Sequence, residues 1–579
     1  MKEHRRNKHN AVISWSSFFW FTLVVVFSSI LFTSLTFSSL RPFYLTDSFH
    51  PNAALTWRTP AMQAKSGYSP EKITIREIVI LPDQVLIFLK YPASFRFYTK
   101  GDIHCVYLSA DSSRYEPRLT QTPIQIHLAQ LHEQILRCPL PPHGHTTSLI
   151  IKSNGPLQNS TTHKWDPLAY EALFDHDNTT IVFVKGLNLR PERLADPSRF
   201  QCVYGWDFKN PKFLLKSDVV TVAQEIVRCK TPLSILSDQT KTLSHTKAHP
   251  VKVSVQVRGR GIFPSIARPG FSTLHNPPKK AHEICVCTML RNQARFMTEW
   301  VMYHAKIGVQ RWFIYDNNSD DEIENVITSL QGVGYNITWH LWPWVKTQEA
   351  GFAHCALRAR ASCEWVGFID VDEFFHVKVN GGLHRVIKHY VRPGSNVAEI
   401  RTPCYSFGPS GLKEVPREGV MVGYTCRLAA RERHKSIVRP EALNQTLINV
   451  VHHFHLSAPF VAVDVEKGVM VINHYKYQVW EVFKEKFYRR VATYVADWQE
   501  EQNVGSKDRV PGLGTRAVKP EDWSSRFCEV RDMGLRNWAV RNFLDRRTHL
   551  FPWQPEFELH HKRKRRRKGK KLSYDVINF

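Results

Sequence analysis

Two aspartates, Asp370 and Asp372, close a short apolar run, Val366-Gly367-Phe368-Ile369, and Glu373 follows directly. Extended backbone turns residues i and i+2 the same way, so both carboxylates can address one cation. Oxygen ligands of this kind suit Mg²⁺ or Mn²⁺, ions that in turn carry phosphate groups. An acidic pair alone is also what a solvated turn looks like. The strand in front of it favours the metal reading, because ligands of open α/β sheets sit outside the carboxyl ends of the strands.

The elements around the pair support such a sheet. Glu283 to Leu290 reads as a strand, Arg291 to Ile307 as a helix closed by Gly308, and Arg311 to Tyr315 as the next strand. Asp320 is placed to cap a helix carrying Ile323, Val326, Ile327 and Leu330. Tyr335 to Trp342 is a third strand, Thr347 to Cys363 a helix, and Val366 to Ile369 the fourth strand. This alternation predicts a mostly parallel, Rossmann-like sheet. Polar groups follow its strands: Arg291 and Asn292 after the first, Asp316, Asn317, Asn318 and Ser319 after the second, and the acids after the fourth. Such a crevice suits a nucleotide, with Arg for phosphate and an acid-held metal for pyrophosphate. No G-x-G-x-x-G and no Walker lysine loop is present. Gln478 to Glu500 is an amphipathic helix with Val479, Phe483, Phe487, Val491 and Trp498 on one face, its Lys and Arg read as solvated. Residues 501–515 form a glycine-containing loop.

Ahead of this part, residues 71–265 carry strand material such as Val85-Leu-Ile-Phe-Leu, Thr180-Ile-Val-Phe-Val and Val251-Lys-Val-Ser-Val. A faint repeat runs through it. Cys105-Val-Tyr recurs as Cys202-Val-Tyr, and Arg137-Cys138 as Arg228-Cys229. Two β-sandwich-like units with pairs Cys105–Cys138 and Cys202–Cys229 would account for the echo. This region is either a structural neighbour of the α/β part or a sugar-binding module using Trp206 as a stacking face.

The chain has 579 residues, enough for two or three domains, and a formal charge of +26. Part of that charge is the run from His560 to Lys571, but no zinc-finger or basic-zipper pattern accompanies it, so nucleic acid is not an expected partner. Lys2, Arg5, Arg6 and Lys8 precede a stretch, His9 to Leu40, without Asp, Glu, Lys or Arg. That reads as one membrane-spanning signal anchor with a cytoplasmic N-terminus. The resulting division is 1–12 cytoplasmic tail, 13–40 anchor, 41–70 stem, 71–265 β-rich domain, 266–282 linker, 283–555 α/β domain and 556–579 basic tail. Asn159, Asn178, Asn336 and Asn444, with Asn317, open glycosylation motifs, and all eleven cysteines follow the anchor. Both features suit an oxidising lumen.

Several motifs then occur in order: Cys287-Thr-Met-Leu-Arg-Asn-Gln-Ala-Arg-Phe, Glu299-Trp-Val-Met-Tyr-His, Trp312-Phe-Ile-Tyr-Asp-Asn-Asn-Ser, Gln348 with His354-Cys355, and Phe368-Ile-Asp-Val-Asp-Glu-Phe. Together, over roughly residues 283–500, they resemble glycosyltransferase family 92, and among its members the plant galactan synthase-like proteins. The resemblance implies a GT-A fold, Mn²⁺ (or Mg²⁺), a UDP-sugar donor, inversion at the anomeric carbon, and galactose as the first-choice sugar, with β-1,4-galactan synthesis as one such reaction. It implies Asp370 and Asp372 as the metal-binding pair, with His474 completing the set. Arg291, Asn292, Asp316, Asn317, Gln348, Lys435 and Arg439 become nucleotide-sugar candidates. Gln293 departs from the family, in which many members carry Glu. The catalytic base stays open among Glu373, Glu349 and Asp464. The expected protein is a type II Golgi enzyme acting on a polysaccharide or glycan, with a homodimer left open. The alternative is a glycan-binding scaffold with a silent GT-A domain, which a structure separating Asp372 from His474 would favour.

Overall fold

The computed structural model describes residues 73–557, apart from 92–96, 110–118, 131–132, 152–153, 158–160, 188, 190–194, 209–212, 237–250, 272–278, 451 and 495–518. The expected anchor, stem, 501–515 loop and basic tail, and Asn159, therefore lie outside the described residues.

Residues 73–271 are β-rich and contain one topology twice. In the first unit Thr74–Ile80 pairs antiparallel with Val85–Lys90, which pairs with Glu133–Cys138, while Thr162–Lys164 runs parallel at the edge. In the second unit Leu168–Phe174, Thr179–Lys185, Ile226–Lys230 and Pro269–Phe271 repeat that order and those directions. Each unit carries one disulfide, Cys105–Cys138 or Cys202–Cys229, at equivalent strands. Residues 269–271, part of the stretch read as linker, are thus the last strand of the second unit. Ile266 and Ala267 are buried and hold that segment in the core.

The α/β part is labelled from its first strand. β1 (His282–Leu290), β2 (Arg311–Asp316), β3 (Ile337–Leu341) and β4 (Cys363–Phe368) are parallel in the order β3-β2-β1-β4. The helices between them are α1 (Ala294–Lys306), α2 (Ile323–Gly332) and α3 (Gln348–Arg360). α1 starts three residues later than its periodicity suggests, because Arg291-Asn292-Gln293 is a turn with Asn292 at φ 53°. α2 begins at Ile323 because Asp320 is engaged elsewhere, in ion pairs with Arg137 and Arg291. The second half of the sheet is mixed: β5 (Glu373–Val377), β6 (Val397–Ser406), β7 (Glu432–Val438), β8 (Val461–Asp464) and β9 (Met470–His474) extend the order as β4-β7-β6-β9-β5, with β8 beside β6. α4 (Gly382–Tyr390) precedes β6, α5 (Trp480–Tyr494) follows β9, and α6 (Gly534–Phe543) comes last. This is an α/β domain whose sheet is parallel in one half and mixed in the other.

The period-two alternation of β1 and β2 separates two cores. Ile284, Val286 and Ile314 face α1 and α2. Cys285, Cys287, Phe313 and Tyr315 face α3 and, beyond it, the β-rich part. Cys285–Cys363 and Cys287–Cys355 lie on that second side, and Cys426–Cys528 staples the C-terminal loops.

The β-rich part shares the second core. Trp165 stacks on Trp344 at 5.4 Å and 5°, and Tyr170 and Phe183 meet Trp342 edge-on at 6.1 Å. The repeated arginines reach across the same boundary. Arg137 donates to the carbonyl of Ser319 at 3.1 Å and pairs with Asp320 at 3.0 Å. Arg228 donates to the carbonyl of Gln445 and pairs with Asp175, which also binds Arg360 of α3 at 2.9 Å. Burial would raise the Asp175 carboxyl, but His176, Arg360 and Arg228 hold it well below the usual carboxylate range. Removing it with Asp175→Ala takes the carboxylate from buried Arg360 and leaves Arg228 only the partly exposed Asp177, and should cost about 3–5 kcal/mol in chemical denaturation. Because the folded value is depressed, this contribution is full above about pH 4 and declines as pH falls further. A wild-type acid limb that Asp175→Ala leaves unchanged would contradict this.

Candidate active site

β4 ends at Phe368, and the turn after it, closed by the Asp370 carbonyl accepting from Glu373 N–H at 3.0 Å, presents Asp370 and Asp372. They border a cavity of about 310 Å³ at the carboxyl ends of β1, β2 and β4. Leu290, Arg291 and Gln293 come from the β1–α1 turn, Asn317 from the end of β2, Trp344, Lys346 and Thr347 from the loop after β3, and Gln348 and Glu349 from the first turn of α3. Gln478, Val482 and Lys486 close the remaining side. The last two lie on α5, one turn apart, so a single face of that helix reaches the cavity.

Basic side chains from four separate segments converge on the acids. His474 Nε2 at the end of β9 is 3.4 Å from Asp372 Oδ2, and Lys486 Nζ meets the same oxygen. Lys435 of β7 pairs with Glu373 at 2.8 Å and approaches Asp370 at 3.7 Å. His452 Nε2, from the hairpin around residues 449–454, is 3.3 Å from Asp370. Glu432 approaches His474 Nδ1 at 3.5 Å and pairs with Lys476 at 3.0 Å. The buried free thiol of Cys404 stands beside Glu373 and His474.

These neighbours set the protonation states. Burial pushes both aspartates up, but His452 and Lys435 hold Asp370 well below the usual range, and Lys486 and His474 do the same for Asp372. Burial lowers His474, and Asp372 and Glu373 more than reverse it, so its proton is held well above the usual imidazole range. Two carboxylates and an imidazole fit a divalent ion such as Mn²⁺ or Mg²⁺. Lys486 now places positive charge against the same oxygen, and a metal would displace its ammonium and the His474 proton.

The other sequence candidates fall on both sides of the cavity wall. Arg291, Asn317, Gln348 and Glu349 line it. Asn317 also donates to the carbonyls of Trp342 and Trp344, which leaves its carboxamide no freedom as a glycan acceptor. Asn292 ties the loops behind the wall: its N–H donates to Ser319 Oγ at 2.9 Å, and its Oδ1 accepts from Asp320 N–H at 2.7 Å. Asp316 is fully buried, accepts from Ser319 N–H, and is pushed up by burial. Arg439 lies over the Trp365 ring at 5.9 Å, away from the cavity, because it follows the buried end of β7. Glu373 is fully buried against Lys435, and Asp464 is exposed on the edge strand β8. Asn178 and Asn336 are exposed and Asn444 half-buried.

Lys486, His452 and Trp344 were not singled out in the sequence. Lys486 belongs with Gln478 and Val482 at four-residue spacing, beside the apolar face that the helical pattern shows. His452 comes from a hairpin with no periodicity to betray it.

A family model and two plant relatives agree on one assignment. A family model described as Glycosyltransferase family 92 matches residues 280–505. A glycosyltransferase family 92 protein of Ricinus communis is 59% identical over 567 residues, covering 96% of this chain and 100% of the relative. Another, from Oryza sativa subsp. japonica, is 52% identical over 496 residues, 83% of this chain and 82% of its own. Among solved structures, a mannosyltransferase from Pyrobaculum calidifontis in complex with GDP-Man and Mn²⁺ aligns with TM-score 0.25 and 10% identity, over 38% of this chain and 64% of that one.

The charge pattern yields a test that needs no substrate. Lys435→Met strips the cation from a fully buried Glu373 and should destabilise the fold by about 3–5 kcal/mol, whereas Lys435→Arg should lose less. Equal losses in denaturant titrations would mean that shape, not charge, is what Lys435 provides.

Proposed function

The chain belongs to glycosyltransferase family 92, and from that membership we propose that it transfers a hexose, galactose first, from a UDP-sugar to a polysaccharide or glycan, with inversion. The observation that carries this reading is Asp372, beside Asp370 on the border of the cavity, with His474 Nε2 3.4 Å away. The scaffold alternative called for their separation.

Mn²⁺ or Mg²⁺ held by Asp370, Asp372 and His474 would neutralise charge on the departing diphosphate. Arg291 and Lys486 line the cavity and would supply two further cations for it. Asn317 is held by two backbone carbonyls and Trp344 by the Trp165 stack, so both offer rigid surfaces to the donor. Inversion requires a base for the acceptor hydroxyl. Among the three carboxylates considered, Glu349 lines the cavity, and we assign it that role. We also place the enzyme in the Golgi membrane, catalytic part lumenal. The charge-free stretch His9 to Leu40 and the five disulfides support this, since disulfides persist in oxidising compartments.

The test is UDP release by the full chain in detergent, across a panel of UDP-sugars with glycan acceptors. One donor should give release that EDTA abolishes and Mn²⁺ restores, and Asp372→Ala should reduce it by about 10²–10³-fold. Glu349→Gln should lower kcat while leaving the KM for donor near wild type. Folded protein inert with every donor, or full activity in Asp372→Ala, would refute the reading.

A further inference from the structure

Neighbouring residues on two segments of the site point in opposite directions. On β7, Lys435 reaches Asp370 and Glu373, while Ser436 donates to Glu399 at 2.6 Å. In the hairpin, His452 reaches Asp370, while His453 Nδ1 lies 3.3 Å from Ser436 Oγ. The outward members meet His434, whose ring centroid is 4.1 Å from that of His453. One ligand atom from each of Glu399, His434 and His453 lies within 4.8 Å of the others. Glu399 is fully buried, and His434 Nε2 is buried with no hydrogen-bond partner among the described residues.

We propose that Glu399, His434 and His453 form a second divalent-metal site, of the Zn²⁺ class, separate from the Asp370–Asp372–His474 centre. Two imidazoles and one carboxylate are a three-ligand zinc set that leaves one position open. Glu399 Oε1 and Oε2 each accept one hydrogen bond, from Ser436 and from Arg401, so each oxygen keeps a lone pair. Arg401 is the competing cation. Its side chain is 39% exposed, so it can turn to solvent as the metal enters. Asp464, in register with Arg401 on the neighbouring strand, adds a carboxylate nearby and supports positive charge there.

The site's place in the fold gives it a purpose. The hairpin closes through Val450 N–H to the His453 carbonyl at 2.8 Å and the Asn449–Phe454 bridge. A metal gripping His453 would fix its tip and so hold His452 against Asp370. This is a structural metal acting on the catalytic centre through one peptide unit.

The full chain, freed of metal and titrated with ZnCl₂, tests this by calorimetry and by its thermal midpoint. Asp372→Ala should still bind one equivalent and gain stability from it, because an ion that binds only the folded state raises the midpoint. Asp372→Ala with His434→Ala and His453→Ala should lose that equivalent while keeping its circular dichroism. Should the triple variant not fold, Asp372→Ala with His434→Gln, on a half-buried ring, reads the same loss. Absence of Zn²⁺ uptake in Asp372→Ala, or uptake unchanged when His434 is replaced, overturns the proposal. Neither result bears on whether the enzyme releases UDP.

Discussion

The structure turns on matching a concentration of negative charge at the end of one strand. Asp370, Asp372, Glu373 and Glu432 are held close together, Glu373 fully buried, and unpaired carboxylates there would be costly. Basic side chains from separate segments answer them: Lys435 from β7, His474 from β9, His452 from the hairpin, Lys486 from α5 and Lys476 just after β9. The same arrangement keeps the aspartates ionised and oriented before any ion arrives, which suits the metal-dependent transfer proposed above.

How much of this could be read in advance depends on the range of the interaction. The parallel strands and crossover helices follow from local periodicity, and the Asp370/Asp372 geometry follows from an extended backbone. His474 was approached through resemblance, because nothing local in Asn473-His474-Tyr475 marks a ligand. Boundaries shifted where side chains had long-range duties: Asp320 left its capping role for Arg137 and Arg291, and Asn292 took a left-handed turn that delays α1. Arg439 and Asp316 show the opposite failure. Their residue types suit a nucleotide, but the fold turns one onto a tryptophan and seals the other under a turn.

The short echo of Cys and Arg in the β-rich region also proves to have a spatial meaning. Two units of one topology place Arg137 and Arg228 at equivalent positions, and both cross into the α/β part, one to the loop after β2 and the other to Asp175 and, through it, the end of α3. With the tryptophan and tyrosine rings between them, these contacts make the β-rich part a wall of the catalytic core. Independent motion, the default for neighbouring domains, is not what such an interface permits.

That shared wall also dictates events at the ribosome. Trp165, Tyr170 and Phe183 leave the exit tunnel long before Trp342 and Trp344, their partners. At about 5–20 residues per second, the gap between Phe183 and Trp342 lasts about 8–30 s. Throughout that interval the nascent chain displays a cluster of aromatic rings with nothing to cover it. Newly made protein therefore has a window in which chaperones and aggregation compete for one surface, and the arrival of the α/β half ends the contest.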